Sequence, residues 1–299
     1  MYANKGDIYA NRRRKRPYKI TPQAKAVIIA IVLVVMTVSA TAKIGSDNIE
    51  EYDNRLAEAR SNGLGNLEEV IIPDDIPEIK VNYTGFNVSF NPSHHQPNYV
   101  SWELTADEAC GDVPRDSKFR TDPDVFGCAS DGDYRRSGYD RGHMAPAADM
   151  KWSAEAMADC HFFTNICPQS HSLNGGRWSS LEKKCREWVR RDSTLVIICG
   201  PILSDRPQGS IGVGVTVPSR FFKVVLAPYA NPPRAIGFIM ANAVVPDGLE
   251  ALAVTVDEVE AATGFDFFSS LPDDIEEQVE ASANFRIWEK RPNKKRQQK

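Results

Sequence analysis

Short apolar runs bounded by proline, glycine or aspartate recur along the middle of the chain and predict β-strands. Between them, segments with apolar residues three and four positions apart predict helices over residues 176–191, 256–263 and 273–281. The predicted strands cover residues 99–104, 161–166, 194–199, 221–226 and 236–241. Because strands and helices mix without a regular βαβ rhythm, we expect an α+β domain with a mixed or antiparallel sheet.

A different pattern occupies the N-terminal part of the chain. Residues 26–42 carry no charge, are rich in Ile and Val, and follow a basic run at residues 12–16. This length is at the lower limit for a membrane-spanning helix, and Ala40-Thr41-Ala42 has the small-residue pattern of a signal-peptidase site. The segment is therefore either a transmembrane anchor or a cleaved signal peptide, and the sequence does not decide between the two. In either case the rest is exported, as an anchored extracytoplasmic domain or a periplasmic or secreted protein.

Charge and proline content divide the remaining sequence. Residues 1–25 form a basic segment that stays in the cytoplasm if the anchor is uncleaved. Residues 43–80 are acidic and interrupted by prolines, which is typical of a linker. The main domain is expected over residues 81–289, where short alternating apolar runs begin, and residues 290–299 form a basic tail.

Composition narrows the choice of function. The 299 residues are 42% hydrophobic and 25% charged, which is ordinary for a globular protein and excludes a disordered chain or a many-span membrane protein. Nine of the 36 basic residues lie in the first 43 positions, so residues 44–299 carry a formal net charge of −12. This charge argues against a broad, non-specific basic surface for nucleic acid, so any site for a polyanion must be local.

Six cysteines lie in the part that we expect to be exported, where disulfides can form. Their spacing does not assign a pairing and contains no metal-binding or redox CxxC. Cys160, His161, Cys167 and His171 do not have the usual spacing of zinc ligands, so we expect no zinc site made of these four.

Asp140-Arg141-Gly142-His143 places an acid, a permanent cation and a titratable base within four positions. Phosphodiester hydrolysis uses such groups, because a base near neutral pKa activates water and a guanidinium holds phosphate oxygens. Taken alone, the motif could also be a surface turn with an Asp–Arg pair and an incidental histidine.

Asn174 lies 31 residues after His143, and Glu182 follows eight positions later. At about 100° per residue, a helix turns these two side chains toward overlapping faces. An amide oxygen and a carboxylate suit a hard divalent ion that keeps most of its waters. The alternative is that Asn174 only caps the helix and Glu182 is solvated.

The ordered combination of DRGH, CHFFTNICPQ, LNGGRWSSLEKKCR, ICGPIL and VPSRFFKVVL resembles the endonuclease G-like DNA/RNA non-specific endonucleases of the ββα-metal (His-Me finger) superfamily. The likeness extends over residues 99–289. It implies a metal finger made of residues 139–150, 161–168 and 174–191.

Position by position, the resemblance implies that His143 is the general base and that Asn174 is the direct protein ligand of Mg²⁺, for which Mn²⁺ can substitute. Glu182 and Asp140 would hold waters of the metal ion, and Arg141 would contact phosphate. Asp140 fixing the tautomer of His143 stays open as an alternative.

The sequence departs from the family pattern at one place. Related secreted nucleases carry a phosphate-clamping arginine shortly before a TDP-like stretch, whereas SKFRTDP has Ser117 at that spacing. We take Arg120 as the second phosphate clamp and Arg177 as a further substrate-binding residue.

These observations predict a Mg²⁺-dependent, sequence-non-specific endonuclease that acts on DNA and RNA. We expect it to be exported or membrane-anchored, with attachment to the membrane through the N-terminal segment if that segment is uncleaved. We also expect a homodimer. One alternative is a catalytically silent nucleic-acid-binding or surface module of the same fold. Another is a hydrolase of a different phosphodiester, which suits the acidic composition. A steep salt dependence of binding would favour long nucleic acid over a small substrate.

Overall fold

The computed structural model describes residues 66–290. The strands are β1 (Val70–Ile71), β2 (Ile79–Asn82), β3 (Asn87–Asn91), β4 (Gln96–Thr105), β5 (Asp140–His143), β6 (Ile166–Gln169), β7 (Thr194–Pro201), β8 (Gly209–Ile211), β9 (Val215–Val217), β10 (Arg220–Ala227), β11 (Arg234–Ala241), β12 (Ala253–Val254) and β13 (Asp266–Phe267). The α-helices are α1 (Asp131–Tyr134), α2 (Ala154–Asp159), α3 (Ser179–Asp192), α4 (Leu249–Leu252), α5 (Val256–Thr263), α6 (Asp273–Glu280) and α7 (Phe285–Glu289). Short 3₁₀ turns occur at Glu108–Cys110 and Phe163–Asn165, and a π-turn at Leu173–Trp178.

A seven-stranded antiparallel sheet forms the centre of the described chain, in the order β12-β11-β10-β7-β4-β3-β2. Every residue of β7 and all but the first of β10 are buried. Strands covered on both faces need apolar residues at consecutive positions, which is why these two read as continuous apolar runs. The α+β class and the antiparallel sheet expected from the sequence are confirmed.

Helix α3 packs one face into the main core. Leu181, Cys185, Trp188 and Val189 are buried at the three- and four-residue spacing of a helical stripe. The ring of Trp188 lies 6.4 Å from that of Phe238 on β11. The opposite face of α3 is free to carry polar side chains toward a surface pocket.

Most predicted elements are confirmed, with two differences near the finger. The strand predicted over residues 161–166 is a 3₁₀ turn followed by β6, which starts only at Ile166. The side chain of Asn165 bonds to three backbone groups of Ala145 and Cys160, and these bonds accompany a turn rather than a ladder. The helix predicted from residue 176 begins as a π-turn, with Gly176 outside helical geometry.

The folded part begins before residue 81, the start that the sequence indicated. Val70 is buried in β1 and pairs with Phe267 of β13, and β2 starts at Ile79. A two-residue strand is too short to show alternation, which is why the acidic, proline-containing stretch has the pattern of a linker up to residue 80. The predicted segments 1–25 and 26–42, the linker up to residue 65 and the tail from residue 291 lie outside the described residues.

Within residues 66–290, none of the helices combines the length and apolar character needed to cross a membrane. All six cysteines are free thiols in the structure, and only Cys110 is exposed. The disulfides that an exported location would permit are therefore not formed in the structure.

A group of carboxylates surrounds Glu280 at the end of α6. Burial, followed by the charges of Glu260 and Glu276, raises the pKa of Glu280 from its ordinary 4.5 to about 9. The folded protein therefore keeps a proton on Glu280 that the unfolded chain releases above pH 4.5. By linkage, the free energy of unfolding falls as pH rises between these two values.

We predict that Glu280→Gln becomes progressively more stable than the wild type as pH rises from about 5 to about 9, because the amide has no proton to lose. Urea unfolding at several pH values measures the difference. The matched control is Glu277→Gln, an exposed position on the same helix. A difference between Glu280→Gln and wild type that does not change with pH would contradict the assignment.

Candidate active site

The antiparallel pair of β5 and β6 places His143 next to the core. Asp140, Gly142 and His143 pair with Gln169, Cys167 and Ile166. A Cβ atom on Gly142 would lie 2.2 Å from Oε1 of Gln169, so a side chain at this position would collide with Gln169. The glycine therefore leaves room for the buried side chain of Gln169 between Arg141 and His143.

The backbone around His143 is fixed by two side chains. Asn165 donates to the carbonyls of Ala145 and Cys160 and accepts from the amide of Ala145, at 2.8–2.9 Å. Nε1 of Trp178, at the start of α3, donates to the carbonyl of His143 over 3.4 Å. The strand that carries His143 is thus tied to α2 and to α3.

The imidazole of His143 is only 7% exposed. The ring of Phe119 lies 5.3 Å away, and the ring of His161 lies 4.9 Å away and nearly perpendicular. Burial, with smaller contributions from His161 and Arg115, holds the pKa of His143 well below its ordinary value. His143 is therefore neutral at physiological pH and can accept a proton.

Asp140 connects β5 to the turn that precedes α3. Its Oδ2 accepts a hydrogen bond from Nδ2 of Asn174 at 2.9 Å and contacts Nδ1 of His171 at 3.0 Å. In the described part of the chain it makes no hydrogen bond to His143, so the alternative that Asp140 fixes the tautomer of His143 finds no support here. Instead, Asp140 orients the amide of Asn174.

Asn174 and Glu182 line the same pocket, one from the π-turn and one from α3. Because Nδ2 of Asn174 faces Asp140, its Oδ1 is left without a hydrogen bond among residues 66–290. Burial raises the pKa of Glu182 to about 7, partly offset by Lys223. A cation beside Glu182 would favour its charged form.

The pocket has a volume of about 370 Å³ and also receives His143 and Arg141. Its polar lining consists of Arg115, Arg141, His143, Asn174, Ser179, Glu182, Lys183 and Arg186. A cavity of about 400 Å³ elsewhere is lined by Pro73, Asp75, His94, Asn98, Phe265 and neighbours, without a comparable set of base, oxygen ligands and arginines. The fold thus brings four of the sequence-predicted site residues to one surface.

Two sequence-predicted residues do not reach this pocket. Arg120 donates to the carbonyl of Ala158 and pairs with Asp116. Arg177 donates to the carbonyls of Pro246 and Asp247. Neither residue is among those that line the pocket, so the assignment of Arg120 and Arg177 as substrate-binding residues stays a prediction that this pocket does not support.

Arg115 and Arg186 line the pocket instead and were missed from the sequence. Arg115 is exposed and forms no ion pair among residues 66–290. It precedes Ser117 by two residues in an irregular segment, where spacing does not predict direction. Arg186 lies four positions after Glu182, one helical turn, and that spacing was the available signal.

Arg141 is held by the protein while one edge lines the pocket. Its Nη2 lies 2.7 Å from Oδ1 of Asp131, and its guanidinium lies 5.6 Å and 5.9 Å from the rings of Phe119 and Tyr134. These contacts limit the rotamers of a long side chain and leave the group pre-oriented.

Buried charges lie beneath the pocket. Asp149 is 1% exposed and contacts Nη1 of Arg186 at 2.6 Å. Lys223 on β10 is also 1% exposed, and its Nζ lies 5.0 Å and 4.5 Å from the rings of Trp102 and Trp178. The negative charges of Asp149 and Glu182 and the positive charges of Arg186 and Lys223 compensate one another in this low-dielectric environment.

The residues of the pocket fit a divalent metal ion. Oδ1 of Asn174 has no hydrogen-bond partner among the described residues. The carboxylate of Asp140 is hydrogen-bonded to Nδ2 of Asn174, and Glu182 lines the same pocket as Asn174. Hard cations such as Mg²⁺ prefer oxygen ligands of this kind and bind through few protein groups while keeping several waters.

The chain is similar in sequence to known nucleases. The sequence profile of the family described as DNA/RNA non-specific endonuclease matches residues 68–274. The mitochondrial nuclease EXOG of Danio rerio is 33% identical over 207 residues, which cover 63% of this chain and 60% of that protein. A nuclease of Nostoc sp. is 32% identical over 241 residues, covering 75% of this chain and 84% of that protein.

The fold is also similar to a solved structure. The crystal structure of the EndoG/EndoGI complex, which describes the mechanism of EndoG inhibition, matches with a TM-score of 0.60 and 25% sequence identity. The match covers 64% of this chain and 86% of that chain. Human mitochondrial endonuclease G is 32% identical over 198 residues, 61% of this chain and 67% of that protein. This chain thus spans about three fifths of the Danio rerio relative and larger shares of the others.

We predict that Asp149→Ala lowers the free energy of unfolding by about 3–5 kcal/mol, because it leaves Arg186 and Lys223 without their buried carboxylate. Urea unfolding measures the loss. The matched control is Asp131→Ala, which breaks the half-exposed pair with Arg141 and is expected to cost at most about 1 kcal/mol. Equal losses for the two variants would show that the buried network is not stabilising.

Proposed function

This chain belongs to the DNA/RNA non-specific endonuclease family, and on that premise we propose that it is a metal-dependent endonuclease that hydrolyses phosphodiester bonds of DNA and RNA. The observation that carries the proposal is the single pocket that His143, Asn174, Glu182 and Arg141 line together. A base, oxygen ligands for a metal ion and a guanidinium are the groups that this reaction requires.

His143 is the proposed general base. Its Nε2 is buried and has no hydrogen-bond partner among residues 66–290. Nδ1 is therefore the ring nitrogen that we assign to contact water in the pocket. The lowered pKa keeps the imidazole neutral, and Nδ1 takes a proton from the attacking water. The fixed backbone around His143 keeps this nitrogen in place without reorganisation during the reaction.

The proposed cofactor is Mg²⁺, for which Mn²⁺ can substitute. Asn174 would hold it directly through Oδ1, and Glu182 and Asp140 would act through water. When bound, the ion supplies Lewis-acid polarisation of the phosphate and stabilises negative charge on the leaving oxygen. The hydrogen bond from Asn174 to Asp140 keeps Oδ1 turned away from that carboxylate.

Arg141, Arg115 and Arg186 are the proposed phosphate contacts. All three line the pocket, and Arg141 is pre-oriented by Asp131 and two aromatic rings. Phosphate contacts carry no base information, which agrees with cleavage without sequence preference. Binding through a small basic cluster also agrees with the net acidic composition of the chain.

The cellular setting is proposed from the sequence alone. We infer export with residues 26–42 as an anchor or a cleaved signal, and with the catalytic domain outside the cytoplasm. The EXOG and endonuclease G relatives are named as mitochondrial proteins. A homodimer stays part of the proposal.

We predict that the purified protein nicks supercoiled plasmid and digests a structured RNA with Mg²⁺, and that EDTA stops both reactions. His143→Ala should slow both by about 10²–10⁴, the usual loss for a general base. The matched control is His94→Ala, which lies outside the pocket. A folded protein that binds nucleic acid but cleaves neither substrate would favour the silent binding module. Cleavage only of small phosphodiesters would favour the other hydrolase.

A second prediction separates the arginines. Arg115→Ala should weaken nucleic-acid binding and make its salt dependence shallower by about one unit of slope, because one phosphate contact is lost. Arg120→Ala is the matched control, since that guanidinium is engaged by Asp116 and Ala158. Binding titrations at several salt concentrations measure both. A larger effect for Arg120→Ala than for Arg115→Ala would restore the sequence-based assignment.

A further inference from the structure

A second group of ligand-type side chains lies directly behind the proposed base. His143, Cys160 and His161 each offer one nitrogen or sulfur atom, and these atoms lie within 4.8 Å of one another. All three residues are buried, with exposed fractions of 7%, 0% and 0%. His143 ends β5, whereas Cys160 and His161 follow α2, so the cluster exists only in the folded protein.

Two nitrogens of this cluster are unsatisfied. Nε2 of His143 and Nε2 of His161 are both buried, and neither has a hydrogen-bond partner in the part of the chain that the structure describes. A buried polar atom without a partner is unfavourable, because it has lost its bonds to water. The centroids of the two rings lie 4.9 Å apart and the rings are nearly perpendicular, so one group bound between them could satisfy both nitrogens.

The tautomer of His161 is suited to binding a metal ion. Its Nδ1 lies 2.9 Å from the carbonyl oxygen of Met157, which can only accept a hydrogen bond. Nδ1 therefore carries the proton, and Nε2 presents its lone pair. Histidines that bind metal ions typically donate their second nitrogen to a carbonyl or carboxylate in this way.

The sulfur and nitrogen donors of this cluster prefer a different metal ion from the one that the oxygen ligands of the pocket prefer. Two imidazoles and a thiolate are ligands typical of Zn²⁺, whereas Mg²⁺ prefers the oxygens of Asn174 and Glu182. The ring of Phe119 lies 5.3 Å from that of His143 and 5.2 Å from that of His161, so the cluster has an apolar side.

We propose that His143, Cys160 and His161 form a binding site for Zn²⁺, and that zinc bound there inhibits cleavage. On binding, Sγ of Cys160 releases its proton to solvent and forms a bond to zinc, and Nε2 of each histidine donates its lone pair. With Nε2 of His143 bound, the proton of the neutral ring resides on Nδ1, which then cannot take a proton from water. The inhibitory part rests on the proposed function, whereas zinc binding does not.

Cobalt substitution tests the site directly. The purified full chain, kept in mild detergent, is titrated with Co²⁺, which reports thiolate ligation by a charge-transfer band and tetrahedral geometry by its visible bands. We expect one Co²⁺ per chain, displaced by Zn²⁺. The bands should disappear in Cys160→Ala and His161→Phe and persist in Cys185→Ala, a matched buried cysteine outside the cluster. A folded wild-type protein without the thiolate band, or a band that survives in both cluster variants, overturns the site.

Zinc inhibition tests the consequence. Cleavage in excess Mg²⁺ is titrated with Zn²⁺, and each variant is compared with its own zinc-free activity. His161→Phe should raise the zinc concentration for half-inhibition at least tenfold, whereas Cys185→Ala should not change it. Inhibition that further Mg²⁺ relieves would overturn the mechanism, because it would assign zinc to the magnesium ligands.

The two measurements separate the possible failures. An active nuclease without the cobalt band overturns the zinc site and leaves the proposed function intact. If His161→Phe then changes the pH profile of cleavage, His161 is only a positioning residue. A cobalt band in a protein that never cleaves nucleic acid with Mg²⁺ overturns the inhibitory role together with the proposed function, and leaves zinc binding in place.

Discussion

The charged side chains beneath and along the pocket must offset one another, and this requirement connects the elements that carry the site. Lys223 comes from the central strand β10, Asp149 from the segment after His143, and Arg186 and Glu182 from α3. Asp149 and Lys223 would each be unfavourable alone in the interior, so the sheet, the helix and that segment have to meet at one place. The cation of Lys223 also rests against Trp102 and Trp178, which ties the charge network to the hydrophobic core.

Above this network, hydrogen bonds hold His143 and Asn174 without using the atoms to which we assign the proposed chemistry. Asn165 and Trp178 bond to the backbone around His143, and Asp140 bonds to the amide nitrogen of Asn174. The nitrogens of His143 and the oxygen Oδ1 of Asn174 therefore stay available. Such preorganisation is how an active site stabilises charge that develops during a reaction. Burial adds to it, because it keeps His143 neutral and raises the pKa of Glu182 toward neutrality.

Much of the fold and part of the site followed from the sequence. The central strands were predictable because strands buried on both faces leave continuous apolar runs. The shared helical face expected for Asn174 and Glu182 was wrong in its geometry, because Asn174 lies in the π-turn and only Glu182 lies in α3, although both residues line the same pocket. That the side chain of Arg115 lines the pocket was not predictable, since Arg115 lies in an irregular segment with no periodicity. The meeting of His143 with His161 depends on tertiary packing, and residues 161–166 were apolar enough to suggest a strand where Asn165 accompanies a turn.

The central claim is that His143, Asn174 and Glu182 form one metal-dependent centre. Anomalous X-ray diffraction from crystals of the protein soaked in Mn²⁺ tests it most directly, because manganese scatters anomalously and replaces magnesium at oxygen ligands. The account predicts one strong peak within bonding distance of Oδ1 of Asn174, in the pocket lined by Glu182 and His143. Manganese bound only at other carboxylates, with none beside Asn174, would contradict it.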